Sequence, residues 1–177
     1  FGQPPERPVL DAIGITFGTD GPEDRPLSDR CLVGFNAGPP VNPSFYNNNL
    51  QIIQNSDHVV IITEMVHDAR IVPLGDRPHA PEEIGFWSGD SRGYWEGDTL
   101  VVETRNFNGL TNSFSAIGSS KYKHLTEKFT RVSGDRIDYE FTVDDPSTFA
   151  DKIVGLIPIY KVAGQVYEYA CHEGNYG

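Results

Sequence analysis

Glu64, His67, Asp68 and Arg70 fall within one short stretch, VVIITEMVHDARIVPLGDRPH, residues 59–79. Its first half is too apolar to be exposed on either face. Charges this dense inside a hydrophobic run cost free energy unless each has a partner. The residue types suit acid–base chemistry. His67 is the candidate general base, Glu64 its orienting or acidic partner, and Arg70 a clamp for a developing oxyanion or a carboxylate. His172 and Tyr46 are candidate proton donors. On this reading the chain is a cofactor-free enzyme, a lyase or isomerase acting on a small organic or sugar-derived molecule.

A second set of residues would bind the substrate. The polar run at residues 46–51 offers Asn48 and Gln51 as neutral hydrogen-bonding groups at a pocket mouth, or simply a loop held by Asx turns. Arg77 and His79 lie in the loop that follows the charged stretch. Glu140 and Asp144 lie on a later strand, and Trp87 and Trp95 could stack on a planar or sugar-like ligand. The competing account makes these charges structural, with Glu64–Arg70 and Asp144–Arg77 as ion pairs and the histidines as core or rim residues. A binding protein that grips an apolar ligand through Trp87, Trp95 and tyrosines is the main alternative function. A metal enzyme using His67, His79 and His172 is another, although no HxH or HExxH spacing supports it. Nucleophile elbows and glycine-rich phosphate loops are absent.

The elements that position these groups read as strands. Eighteen Gly and thirteen Pro punctuate runs rich in Val, Ile, Thr, Tyr and Phe, the pattern of an all-β chain. Strands are expected at Ile13–Phe17, Cys31–Phe35, Tyr46–Gln54, His58–Met65, Gly85–Ser88, Gly93–Glu96, Thr99–Phe107, Lys123–Val132, Arg136–Val143, Lys152–Val162 and Gln165–Cys171. Residues 59–71 are expected to alternate as a single strand. Glu64 and Arg70 then share one face, and a bulge between Met65 and Asp68 is needed to bring His67 round to Glu64. Short turns between sequence neighbours predict one domain, an up-and-down antiparallel barrel, with residues 1–28 as an irregular wrap and residues 108–122 as a loop across its mouth.

Net charge is −11 and the isoelectric point about 4.7. With its cations scattered, the chain is poorly suited to nucleic acid. A small molecule is the expected partner, and the chain is expected to be a monomer or homodimer. No apolar run is long enough for a membrane span. Cys31 and Cys171 are either two buried thiols or one disulfide. The disulfide, preferred here, would close a loop of about 140 residues and contribute on the order of 4–5 kcal/mol in the chain-entropy model. The bridge and a start at Phe1 rather than Met suggest a secreted or periplasmic protein.

The stretches EMVHDARIVPLGDRPH, GDSRGYWEGDTLVVETRNFNG, FTVDDPSTF and EYACHEGNY resemble a family of secreted proteins from soil and environmental bacteria. The resemblance runs from about Arg30 to Tyr176 and implies a lipocalin-like β-barrel. It implies no activity, catalytic residue or cofactor. The loop at Gly75-Asp76 departs from the family, which has Asp-Gly there.

Overall fold

A computed structural model describes residues 21, 27–28, 30–34, 38–44, 46–110 and 119–170. The expected strand at Ile13–Phe17, most of the 1–28 wrap and the middle of the 108–122 loop lie outside them. The described chain is all-β, with eight strands in two antiparallel sheets. The first sheet holds β1 (Leu50–Gln54), β2 (His58–Thr63) and β3 (Ala69–Pro73). The second holds β4 (Asp90–Glu96), β5 (Thr99–Arg105), β6 (His124–Arg131), β7 (Arg136–Asp144) and β8 (Ile153–Tyr160). Every sheet neighbour is also a sequence neighbour, as expected where turns are short. Among the described residues no helix is long and apolar enough to cross a membrane.

Period-two patterning explains the second sheet. On β7 Tyr139, Phe141 and Val143 are buried while Glu140 is exposed. On β6 Leu125, Glu127 and Phe129 alternate with Thr126, Lys128 and Thr130 in the same way. One core is shared by both sheets, with Val59, Ile61 and Val72 packed against Leu100, Leu125 and Phe141. The sheets meet where the end of β3 crosses β4: Leu74 bridges to Gly93, and the Gly75 N–H donates to the Gly93 carbonyl at 3.1 Å. Gly93 permits this crossing, since a Cβ there would stand 2.8 Å from Val72 Cγ1.

The largest departure from the expected fold is in residues 59–71. They form a hairpin, not one strand. A 3-10 turn at Met65–His67 separates β2 from β3, and β3 folds back so that Arg70 pairs with Ile61. No glycine, proline or asparagine marks this turn. It relies instead on left-handed backbone at Val66 (φ 60°) and His67 (φ 44°), which is costly for a β-branched residue. Burial offsets that cost. Met65 and Val66 are almost wholly buried and close on Gly34, where any side chain would collide with both. Three other expected strands do not form among the described residues. Residues 31–34 and 165–170 are irregular, and around Gly85–Ser88 the chain makes only an isolated bridge from Phe86 to Phe107. β8 ends at Tyr160, and residues 165–170 form no strand that pairs with it.

Candidate ligand-binding site

The expected catalytic set does not come together. Glu64 is buried, 7% exposed, and its Oε2 accepts from Asn49 Nδ2 at 2.9 Å and from the Asn49 backbone N–H at 3.3 Å. Arg70 is also buried, but its partner is Glu127 on β6: Nη1 reaches Oε2 at 2.6 Å and Nη2 reaches Oε1 at 3.0 Å. The expected Glu64–Arg70 pair is therefore absent. The hairpin separates its members, and each carboxylate takes the donor its own strand faces. His67 lies exposed at the turn with Nδ1 3.1 Å from the Tyr169 carbonyl oxygen. The turn, unlike a bulge, leaves it outside the core. Tyr46 is half exposed. His172 and Cys171 lie outside the described residues, and with them the expected Cys31–Cys171 bridge; no described cysteine is a free thiol.

The expected substrate-binding residues are dispersed. Asn48 closes on Ser44 through both ends of its amide. Gln51 is exposed on β1, as are Trp87, Trp95 and Glu140 on other elements. Asp144 pairs with Lys152 at 2.9 Å, not with Arg77, because Lys152 stands just ahead of β8, the strand beside β7. Arg77 offers its carbonyl to Arg92. His79 Nδ1 lies 3.2 Å from Asp90 Oδ2, and the Ala80 N–H donates to that same oxygen at 2.7 Å. This pair pins the loop of residues 75–80. Among the described residues no group of three His, Cys, Asp or Glu is placed to hold a metal ion.

His67 also has a testable conformational role. Glycine has no Cβ to resist the left-handed backbone, so His67→Gly should raise stability by about 0.5–1 kcal/mol. A thermal melt checks this. A clear loss would show that the contact to Tyr169 outweighs the strain.

What the fold does assemble is a pocket of about 200 Å³ between β1 and β8, the outermost strands of the two sheets. Residues 41–43, 47–50 and 157–160 form its sides, with Thr63 and Tyr139. Apart from asparagine amides, a threonine and two tyrosines these groups are apolar, and none carries a formal charge at neutral pH. Tyr139 forms the wall nearest the core. Its hydroxyl donates to Glu127 Oε1 at 2.7 Å and accepts from the Val41 N–H at 3.0 Å. Burial, and then the Glu127 charge, push the Tyr139 phenol well above its ordinary pKa, so it stays a neutral donor. Burial works against the charge of Arg70, but Glu127 outweighs it and holds the guanidinium above its ordinary value.

A second buried polar cluster lies at the start of β6. Lys123 is 1% exposed with its ammonium 4.1 Å from the centre of the Phe107 ring. Burial lowers its pKa to about 8, opposed by the charges of Asp145 and Glu127. Asp145, also buried, accepts from the Ser120 N–H at 2.6 Å, the Ser120 hydroxyl at 2.8 Å and the Ser147 hydroxyl at 2.7 Å. Burial would raise its pKa; these hydrogen bonds outweigh that and lower it. Glu127, Lys123 and Asp145 do not stand out in the sequence as a group. The signal was present, since period two from Leu125 and Phe129 places Glu127 and Lys123 on the same inward face.

No family model matches the chain, and neither a curated protein nor a solved structure shows significant similarity to it.

Proposed function

We propose that this protein binds a small, neutral and largely apolar molecule in the pocket between β1 and β8. The observation that carries this reading is the lining: aliphatic and aromatic groups with a few amides, and no charged side chain among the described residues. Such surfaces suit ligand carriage more than proton transfer. The size agrees, because an engineered apolar cavity of about 150 Å³ takes up benzene and this one has room for about two fused rings. A net charge of −11 further disfavours anionic ligands. In the same reading the two sheets are an opened barrel with the pocket at its seam. The lipocalin-like family, export from the cytoplasm and a Cys31–Cys171 bridge belong to it. Acid–base catalysis at His67, Glu64 and Arg70 draws no support from groups that point to separate partners.

Indene, which has no hydrogen-bonding group, is the probe that tests the pocket. Its affinity should be on the order of 0.1–1 mM for a ligand of this size. Titrated into 15N-labelled protein, it should shift the amides of residues 41–50 and 157–160 and reach saturation. Leu50→Trp, which fills the pocket, should abolish the effect. Shifts that never saturate, or that survive Leu50→Trp, would sink the proposal.

A further inference from the structure

The asparagines along the pocket differ in what they leave free. Asn48 has none of its amide to spare, since Oδ1 accepts from the Ser44 N–H at 2.6 Å and Nδ2 donates to the Ser44 carbonyl at 2.7 Å. Asn42 lines the pocket, and no described residue hydrogen-bonds its amide. It can therefore turn either end to a ligand and selects neither. Asn49 is held from three directions. Its Nδ2 and its backbone N–H both donate to Glu64 Oε2, and its carbonyl accepts from the Glu64 N–H at 2.9 Å. An ionised carboxylate only accepts. The hydrogen-bond network thus assigns the Asn49 amide one orientation, with NH2 toward Glu64 and Oδ1 turned away. No described residue donates to that oxygen.

From this geometry we infer that Asn49 Oδ1 is the selecting group of the pocket, and that the ligand is a neutral ring compound presenting an N–H or O–H donor to it. The inference rests on the binding reading above. Glu64 is the positioning residue. It sits one residue before the strained turn that Gly34 and the buried Val66 hold in place, so the acceptor is set before any ligand arrives. A ligand offering only an acceptor would set lone pairs against lone pairs and displace water without replacing its hydrogen bond. Asn49 is exposed at the pocket mouth, so solvent keeps the discrimination modest.

Three probes of one shape separate the possibilities: indole, which donates through N–H, benzofuran, which carries only an acceptor, and indene, which carries neither. Isothermal titration and 15N shifts should show indole binding roughly three- to tenfold more tightly than the other two. In Asn49→Leu the preference for indole over indene, read as the ratio of the two affinities in that same variant, should vanish. Glu64→Gln can keep an acceptor for both Asn49 donors and should keep the preference, whereas in Glu64→Met, which removes that acceptor, Asn49 is free to flip and the gap between indole and benzofuran should narrow. Equal affinities of indole and indene for the unaltered protein overturn the inference and leave the pocket standing; this comparison needs no variant to fold. Binding by none of the three removes the pocket reading and the inference together.

Discussion

Arg70→Met should destabilise the fold by about 3–5 kcal/mol, a large part of the stability of an ordinary domain. The reason is the residue left behind. Glu127 is wholly buried and would keep only the Tyr139 hydroxyl as donor once both guanidinium hydrogen bonds are gone. A buried carboxylate that loses its hydrogen-bonded cation bears most of its desolvation cost, which the nearby but unbonded Lys123 ammonium offsets only in part. The double variant Arg70→Met/Glu127→Leu removes both charges and should recover most of the loss. Tyr139 would then lack its acceptor, at a cost of about 1 kcal/mol. Urea unfolding followed by circular dichroism measures all three proteins. A loss below about 1 kcal/mol in the single variant, or a double variant no better than the single, would contradict this account. The same network steadies the Tyr139 wall of the pocket, so indene should also bind the single variant more weakly.

Lys123 should make the protein more stable as pH rises above 8, against the usual alkaline trend. Its folded pKa is about 8, below the ordinary lysine value of about 10.4. Between those values the unfolded chain binds more protons than the folded one, so stability rises with pH. Below pH 8 the buried charge costs a constant amount on the order of 3 kcal/mol. About 2 kcal/mol of that should be recovered by pH 9.5. Measurements should stop near that pH, because Tyr139, whose pKa is raised, acts with the opposite sign where unfolded tyrosines begin to ionise. Lys123→Met should abolish the rise and stabilise the protein at pH 7 by on the order of 1–3 kcal/mol, since Asp145 keeps its own hydroxyl and amide donors. Subtracting the variant's curve from that of the unaltered protein isolates this one group. A flat difference between pH 7.5 and 9.5 would mean that Lys123 titrates as an ordinary lysine.

The sequence by itself determined the strands that alternate. Along residues 136–144 every second side chain is apolar, and a chain with that pattern can bury one face only as a strand. The turn at residues 55–57 was legible because Asn55 holds it through its own side chain, accepting from the Asp57 and His58 N–H groups. The two-residue turn at Gly97-Asp98 was legible for another reason: glycine accepts the left-handed backbone such a hairpin turn needs, φ 60° at Gly97. These are local rules, and local rules read directly from neighbours in the chain.

Tertiary structure alone decided the hairpin at residues 58–73 and everything that depends on it. No nearby residue favours left-handed backbone at Val66. Gly34, far away in sequence, makes room for it, and burial of Met65 and Val66 stabilises it. Once the chain turns there, Glu64 is left to hold Asn49, and Arg70 faces a carboxylate 57 residues further on. The pocket likewise joins residues near the two ends of the described chain, β1 and β8, that share no pattern a reader could match. A buried charge takes whichever partner the packed core brings within about 3 Å, because in low dielectric an unpartnered one costs several kcal/mol. That choice is made in space, between segments whose separation along the chain carries no information about it.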